Sequence, residues 1–358
     1  MLDVIFLELT NHCNMDCSFC PNHLMTRPRG FISPVLARRV IDQLRDMEFK
    51  GTLITSLMGE PLLHPNFKEI LQYALKSKLK TDVITNITLI PERIPISELL
   101  NLGINRLCMS YQTPDEKTYQ LRHSQIPFKI FHSKLMDIVS YATNNPVNTN
   151  QIEIHILHSF YNYLNVDIVN DHALLKEAIS GIINDMPHSK NNDSNEKLME
   201  RARICLDAFF CGNQYLDTFR IPLTSNISII MKRANTWSNN LLPSDCSAIP
   251  SASGHCAFFS TSLGILWDGR VTVCCQDFDA RVILGDVKKN TVMEISKGDK
   301  LTQMQAMEKK GLLINKYCQL CKGKIQKRGE SFEIIKAQPL VNRAHTLINR
   351  IKVKLKRG

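Results

Sequence analysis

Three cysteines inside one eight-residue run, Cys13, Cys17 and Cys20 in CNMDCSFC, constrain this chain more than any other feature. They follow an apolar stretch from Val4 to Leu9, and the next cysteine along the chain is Cys108. Iron-sulfur clusters normally take four thiolates, and three at this spacing can hold a cluster while leaving one iron without a protein ligand, plain core cysteines being the bland reading. An open iron is a place for chemistry. Zinc is the plainer alternative, but it wants four donors, and His12 adjoins Cys13 too closely to close a tetrahedron.

With Phe19 just before the last cysteine, the run resembles the signature of the radical S-adenosylmethionine (SAM) enzymes. The resemblance implies a [4Fe-4S] cluster on Cys13, Cys17 and Cys20, with SAM chelating the fourth iron and reductive cleavage giving a 5′-deoxyadenosyl radical. Met58-Gly59-Glu60-Pro61 looks like the family's Gly-Gly-Glu-Pro turn with its first glycine replaced. Gly59 and Glu60 would face the SAM ammonium, glycine being suited to close backbone approach; in isolation the motif is a turn. Asp82 to Asn86 is similar to the family's third strand, with Ile87 where a glycine is expected. Ser110 matches a serine near SAM and Arg122 an arginine that pairs with its carboxylate, a task for a planar fork of donors. By themselves they read as a strand-end hydroxyl and a solvated helix residue. Phe19, Gly59, Glu60, Asn86, Ser110 and Arg122 are thus the expected cofactor-binding residues.

Strand patterns at Val4 to Leu9, Leu53 to Leu57, Asp82 to Asn86, from Leu107, Gln151 to Leu157 and Ile227 to Met231 alternate with helical stretches such as Phe67 to Lys78. That alternation argues an α/β fold with a mostly parallel sheet. The resemblance makes it a partial (β/α)6 TIM-like barrel with its chemistry at the C-terminal strand ends. Divergence is expected from Phe160 to Arg220, where no family motif falls, and a polar surface loop from Pro187 to Glu196.

Cys256, Cys274 and Cys318-Gln-Leu-Cys321 form a second group. Asp268-Gly269 between Leu263–Leu266 and Val271–Val273 is a hairpin signal that brings Cys256 near Cys274. The group resembles a SPASM or shorter twitch extension holding one auxiliary [4Fe-4S] cluster; a zinc ribbon is the structural alternative. Cys275 would be a spare on the opposite strand face, or replace Cys274. Cys108, Cys205, Cys211 and Cys246 read as buried small hydrophobes, Cys108 with the strand parity of Ser110 and a possible hydrogen-donor role. The expected domains are 1–245 (barrel), 246–330 (auxiliary) and 331–358 (basic tail).

Twelve cysteines at cluster spacing imply a reducing, cytoplasmic compartment, and no apolar run is long enough for a membrane span. The net charge of +10 misleads, since residues from Lys322 onward carry eleven Lys or Arg against Glu330 and Glu333. The body is nearly neutral, which counts against a zinc-stabilised nucleic-acid-binding module, the rival of another class. The tail is expected to solubilise, or to touch an acidic partner or membrane surface. Family likeness implies SAM, a low-potential donor such as flavodoxin or ferredoxin, and hydrogen abstraction from a substrate. A four-thiolate auxiliary cluster suits it to accept an electron, hence a net oxidation. Because the sequence opens on the first strand, with no leader-capture domain before it, a sugar, cyclitol or other small metabolite is expected. A peptide-modifying maturase or an epimerase is the alternative.

Overall fold

The computed structural model describes residues 2–145, 151–160, 168–187, 194–213 and 218–327. The expected tail and most of the 187–196 loop lie outside them. Twelve strands are described: β1 Val4–Leu7, β2 Thr52–Ile54, β3 Lys80–Thr85, β4 Arg106–Gln112, β5 Gln151–His158, β6 Thr218–Pro222, β7 Ile227–Arg233, β8 Cys246–Ile249, β9 Ser262–Ile265, β10 Arg270–Thr272, β11 Ile283–Asp286 and β12 Lys324–Lys327. Ten form one open mixed sheet in the order β11-β10-β9-β1-β2-β3-β4-β5-β7-β6, and β8 pairs with β12 apart from it.

From β9 through β1, β2, β3, β4 and β5 to β7 every neighbour is parallel. The six expected strands are present, and the sheet extends beyond them at both ends. β9 lies parallel to β1, Val4 opposite Ser262, while β6 runs antiparallel beside β7. β9 and β10 make the expected hairpin, with Gly269 at φ +92° in its turn. Apolar periodicity identifies a strand without naming the edge that takes it, so neither added edge was readable.

Helices cover one face. Pro34–Asp46 starts on a Ser33 cap with proline in its first turn, and buries Ala37, Val40, Ile41 and Leu44; Phe67–Lys76 buries Phe67, Ile70, Leu71 and Ala74. Alternate strand residues meet these helices in one core, among them Ile5, Leu7, Val83, Leu107, Met109, Ile152, Ile154, Ile156, Ile229 and Met231. The residues between them face the concave side, and several are polar: Asp82, Arg106, Cys108, Ser110, Glu153, His155 and Lys232. No described helix is long and apolar enough to cross a membrane.

Two cysteine expectations need correction. Cys211 is exposed, in a π-helical turn, Phe209–Asn213, that sends Phe209 into the core instead, and Cys205 and Cys246 are only partly buried. Strand β10 ends at Thr272, so Cys274 and Cys275 sit in the turn beyond it and strand alternation does not separate their side chains.

Candidate active site

The cysteine loop leaves β1 at Glu8 and is tied back by its own polar residues. Asn11 accepts from Gly30 N at 2.8 Å and donates to Pro28 O at 2.8 Å, while Thr10 Oγ1 donates to Gly30 O at 2.7 Å. Cys20 N donates to Cys17 O at 2.9 Å, closing a turn that brings the three thiols within electrostatic reach of one another. His12 stacks on Phe31, ring centroids 4.7 Å apart. Phe19 is buried in the core, and its carbonyl accepts from Trp237 Nε1 at 3.1 Å.

The Gly-Glu-Pro turn abuts this loop. Gly59 has φ +78°, and a Cβ there would lie 2.5 Å from Thr10 O and 2.6 Å from His12 O. Glu60 N donates to His12 O at 2.8 Å. The buried Glu60 carboxylate accepts from Asn86 N at 2.7 Å, Thr85 Oγ1 at 2.8 Å and Leu62 N at 3.1 Å. Burial pushes its pKa up to about 7 against the pull of these donors. Asn86 Nδ2 donates to Asn14 Oδ1 at 2.9 Å and lies 4.0 Å from Cys13 Sγ. Thr88 joins them, accepting from Asn14 Nδ2 at 2.8 Å. Sequence reading missed Asn14, Thr85 and Thr88, whose polar spacing carries no motif.

Ser110 sits on the concave face, and its carbonyl accepts from Arg122 Nη1 at 2.8 Å. Arg122 is not a solvated helix residue. It is 1 % exposed, bonds Tyr111 O at 3.0 Å as well, donates from Nε and Nη2 to Met15 Sδ at 3.3 Å, and lies over the Phe131 ring. Its guanidinium braces the cysteine loop against β4. A cavity of about 410 Å³ opens on the loop, lined by Cys13, Asn14, Met15, Arg29 and His123 among others.

The second group also assembles: Cys256 is in electrostatic reach of Cys274, Cys318 and Cys321. Cys275 reaches Cys256 too. Cys318 and Cys321 share the helix Lys316–Cys321, whose Tyr317 donates to Gln276 O at 2.7 Å beside the turn carrying Cys274. Cys108 lies apart, buried 3.6 Å from Glu153 Oε2.

Both groups suit iron-sulfur clusters better than zinc. Tetrahedral zinc with sulfur at ~2.3 Å holds its ligands about 3.8 Å apart. Among the described residues the one trio of ligand atoms all within 4.8 Å of one another is Cys108, Glu153 and His155. Neither cysteine group is drawn in that far, as the broader body of a cluster allows.

The model of the radical SAM superfamily matches residues 7–159, and that of the SPASM iron-sulfur cluster-binding domain matches 256–322. Together they cover more than half of the chain. An uncharacterised protein of Methanocaldococcus jannaschii is 27 % identical over 206 residues, 56 % of this chain and 62 % of its own length. The S-adenosyl-L-methionine-dependent 2-deoxy-scyllo-inosamine dehydrogenase of Niallia circulans is 33 % identical over 67 residues, 18 % of this chain and 27 % of its own. Both matches thus span less than two thirds of those relatives. The crystal structure of BtrN in complex with AdoMet and 2-DOIA shares the fold, with TM-score 0.50 and 16 % identity over 87 % of this chain and 88 % of that one. The two domains bring a [4Fe-4S] cluster with SAM and an auxiliary iron-sulfur site. The chain belongs to the radical SAM superfamily and carries a SPASM domain.

Proposed function

We propose that this protein oxidises a small polyhydroxylated metabolite, of sugar or cyclitol type, by removing a hydrogen atom and then an electron and a proton. The observation that carries the reading is the assembly of four cysteines, Cys256, Cys274, Cys318 and Cys321, around one auxiliary site. Four thiolates leave no open iron, which suits that site to receive an electron and not to bind substrate. The relative named for its dehydrogenation of 2-deoxy-scyllo-inosamine supports the substrate class.

In this reading Cys13, Cys17 and Cys20 hold the first cluster. When bound, that cluster with SAM supplies the 5′-deoxyadenosyl radical. Gly59 keeps the wall open to the SAM amino group, Glu60 and Asn86 form its polar rim, and Ser110 and Arg122 fix the β4 side. Arg122 acts as a positioning residue, since its donors already hold Ser110 O, Tyr111 O and Met15. The buried side chains of the cysteine loop, Met15, Cys17 and Phe19, keep water from its inner side.

The test is 5′-deoxyadenosine formation from SAM by anaerobically reconstituted protein with dithionite, beside the Cys13→Ala, Cys17→Ala, Cys20→Ala triple variant. Product from the wild type and at least a ~100-fold loss in the variant is expected, as when a whole catalytic unit is removed. No product from iron-loaded wild type with candidate polyols would turn the reading toward a metal-stabilised binding module. Deuterium carried from a C-deuterated polyol into 5′-deoxyadenosine, with the ketone as co-product, would establish the oxidation.

A further inference from the structure

The concave face of the sheet carries a column of charged groups that the proposed SAM and cluster residues do not use. In cross-strand register, Asp82 on β3 stands opposite Arg106 on β4, and Cys108 opposite Glu153 on β5. On the next pair Glu153 is opposite Ser228, His155 opposite Ile230, and Leu157 opposite Lys232 on β7. Arg220 on β6 faces Ile230 from the far edge. Two carboxylates, two guanidinium groups and the Lys232 amine therefore share this face, with His155 held neutral by burial.

Both carboxylates are taken. Asp82 accepts from Arg106 Nε at 2.9 Å and from Asn105 Nδ2 at 2.6 Å. Glu153 accepts from Arg106 Nη1 at 3.1 Å and from Arg220, and its other oxygen meets His155 Nε2 at 3.0 Å. Lys232 makes no ion pair with any carboxylate of the described residues, although it lies within the influence of Glu153, Arg106, Cys108 and Cys275. Burial pushes its pKa down. A desolvated ammonium left over from such a network is costly unless an anion arrives to meet it.

We infer that the lumen binds an oxyanion of the substrate, a carboxylate or a phosphate, on the Lys232 ammonium, next to the C-terminal end of β7. Lys232 is second from the end of its strand, at the same end of the sheet as Asn86 and Ser110, where parallel α/β sheets build their sites. A compact ammonium on a flexible stem is a point charge able to meet either anion. Arg106 and Arg220 are both engaged by Glu153, so of these three groups Lys232 is the one without a carboxylate partner among the described residues. The inference rests on the small-metabolite reading and narrows it to polyols bearing an acidic group.

Anaerobic calorimetry on the cluster-loaded full chain tests this with inorganic phosphate and with acetate, at constant ionic strength, and with neutral myo-inositol as the control. Saturable binding of phosphate or acetate, absent for inositol, is expected; which anion binds tells a phosphorylated from a carboxylated substrate. Lys232→Met should weaken that binding by at least about tenfold, and Lys232→Arg should retain most of it. The melting temperature and cluster absorption of each variant establish that it is folded and loaded. Two results would overturn the inference: no saturable heat from either anion at millimolar concentrations, or equal binding by Lys232→Met. Because binding is read without turnover, its failure is separate from a failure of SAM cleavage, which the wild-type 5′-deoxyadenosine assay reads alone.

Discussion

At Gly59 the backbone runs at φ +78° between two carbonyls that a methyl group would strike. The requirement for glycine is visible in the sequence because only that residue type meets it. Gly59→Ala should cost about 1–3 kcal/mol, the usual scale of backbone strain, and weaken SAM binding together with 5′-deoxyadenosine formation; urea melts and SAM calorimetry check both. Ile87 is the reverse case, a β-branched residue at φ +61° where the family pattern has glycine. Its side chain is wholly buried, so packing holds a conformation the residue disfavours. Arg122 was legible as a residue type but not in posture: the motif located it, while its bonds to Ser110 and Tyr111 carbonyls arise only once β4 is folded. Lys232 was not legible at all, since its meaning comes from carboxylates on other strands. His158 supplies a pH prediction. It is buried against Phe160 and Phe209 with neither ring nitrogen hydrogen-bonded among the described residues, and burial, reinforced by Arg233, lowers its pKa from 6.5 to about 4. Between those values the unfolded chain takes up a proton that the native one refuses. Stability therefore falls as pH drops through 6.5 toward 4, by up to roughly 3 kcal/mol from this group. His158→Leu should flatten that part of the pH–stability curve, read from urea midpoints, and raise stability at neutral pH. An unchanged slope would count against it.

Among the elements, the parallel strands were readable because each is a short apolar run followed by a helical stretch. What escaped was the seam between β1 and β9, strands more than 250 residues apart that pair in parallel. Side chains reinforce this seam. Arg27, on the return of the cysteine loop, forms a buried two-pronged ion pair with Glu8 and donates from Nε to Phe278 O at 2.7 Å. Asp279 accepts from Thr26 N and Oγ1, both at 2.7 Å. Trp267 fills the space above Gly30, where a Cβ would lie 2.5 Å from its ring, and donates to Pro28 O at 3.2 Å. Arg27→Met leaves the Glu8 carboxyl buried without its partner, and should cost about 3–5 kcal/mol, whereas replacing both partners with apolar residues should be close to neutral. A double-mutant cycle by chemical denaturation measures the difference; additive single losses would mean the pair is not coupled.

On the scale of the whole molecule, the two cysteine groups hang on one continuous sheet and are linked again through the segment after β7. Trp237, Ser238 and Asn239 run consecutively at positive φ, with Trp237 bonded to Phe19 O in the cysteine loop and Asn239 Nδ2 donating to Leu320 O at 2.8 Å, between Cys318 and Cys321. Sequence reading found both groups because cluster ligands must be cysteines at narrow spacing. The bonds this strut makes, to Phe19 O and Leu320 O, come only with the fold and carry no spacing that a sequence shows. The strut separates two consequences of losing auxiliary ligands. If the second site only receives an electron, Cys318→Ala with Cys321→Ala should lower iron from about eight to about four per chain, as expected for two four-iron clusters. SAM cleavage without substrate should persist, while substrate oxidation is lost. If the auxiliary helix also holds the first loop in place through Asn239 and Trp237, iron should fall below four and SAM cleavage should decline with it. Asn239→Ala, which touches no cysteine, then decides: a fall in SAM cleavage with eight irons retained assigns the effect to the strut, and unchanged cleavage confines the second group to electron transfer.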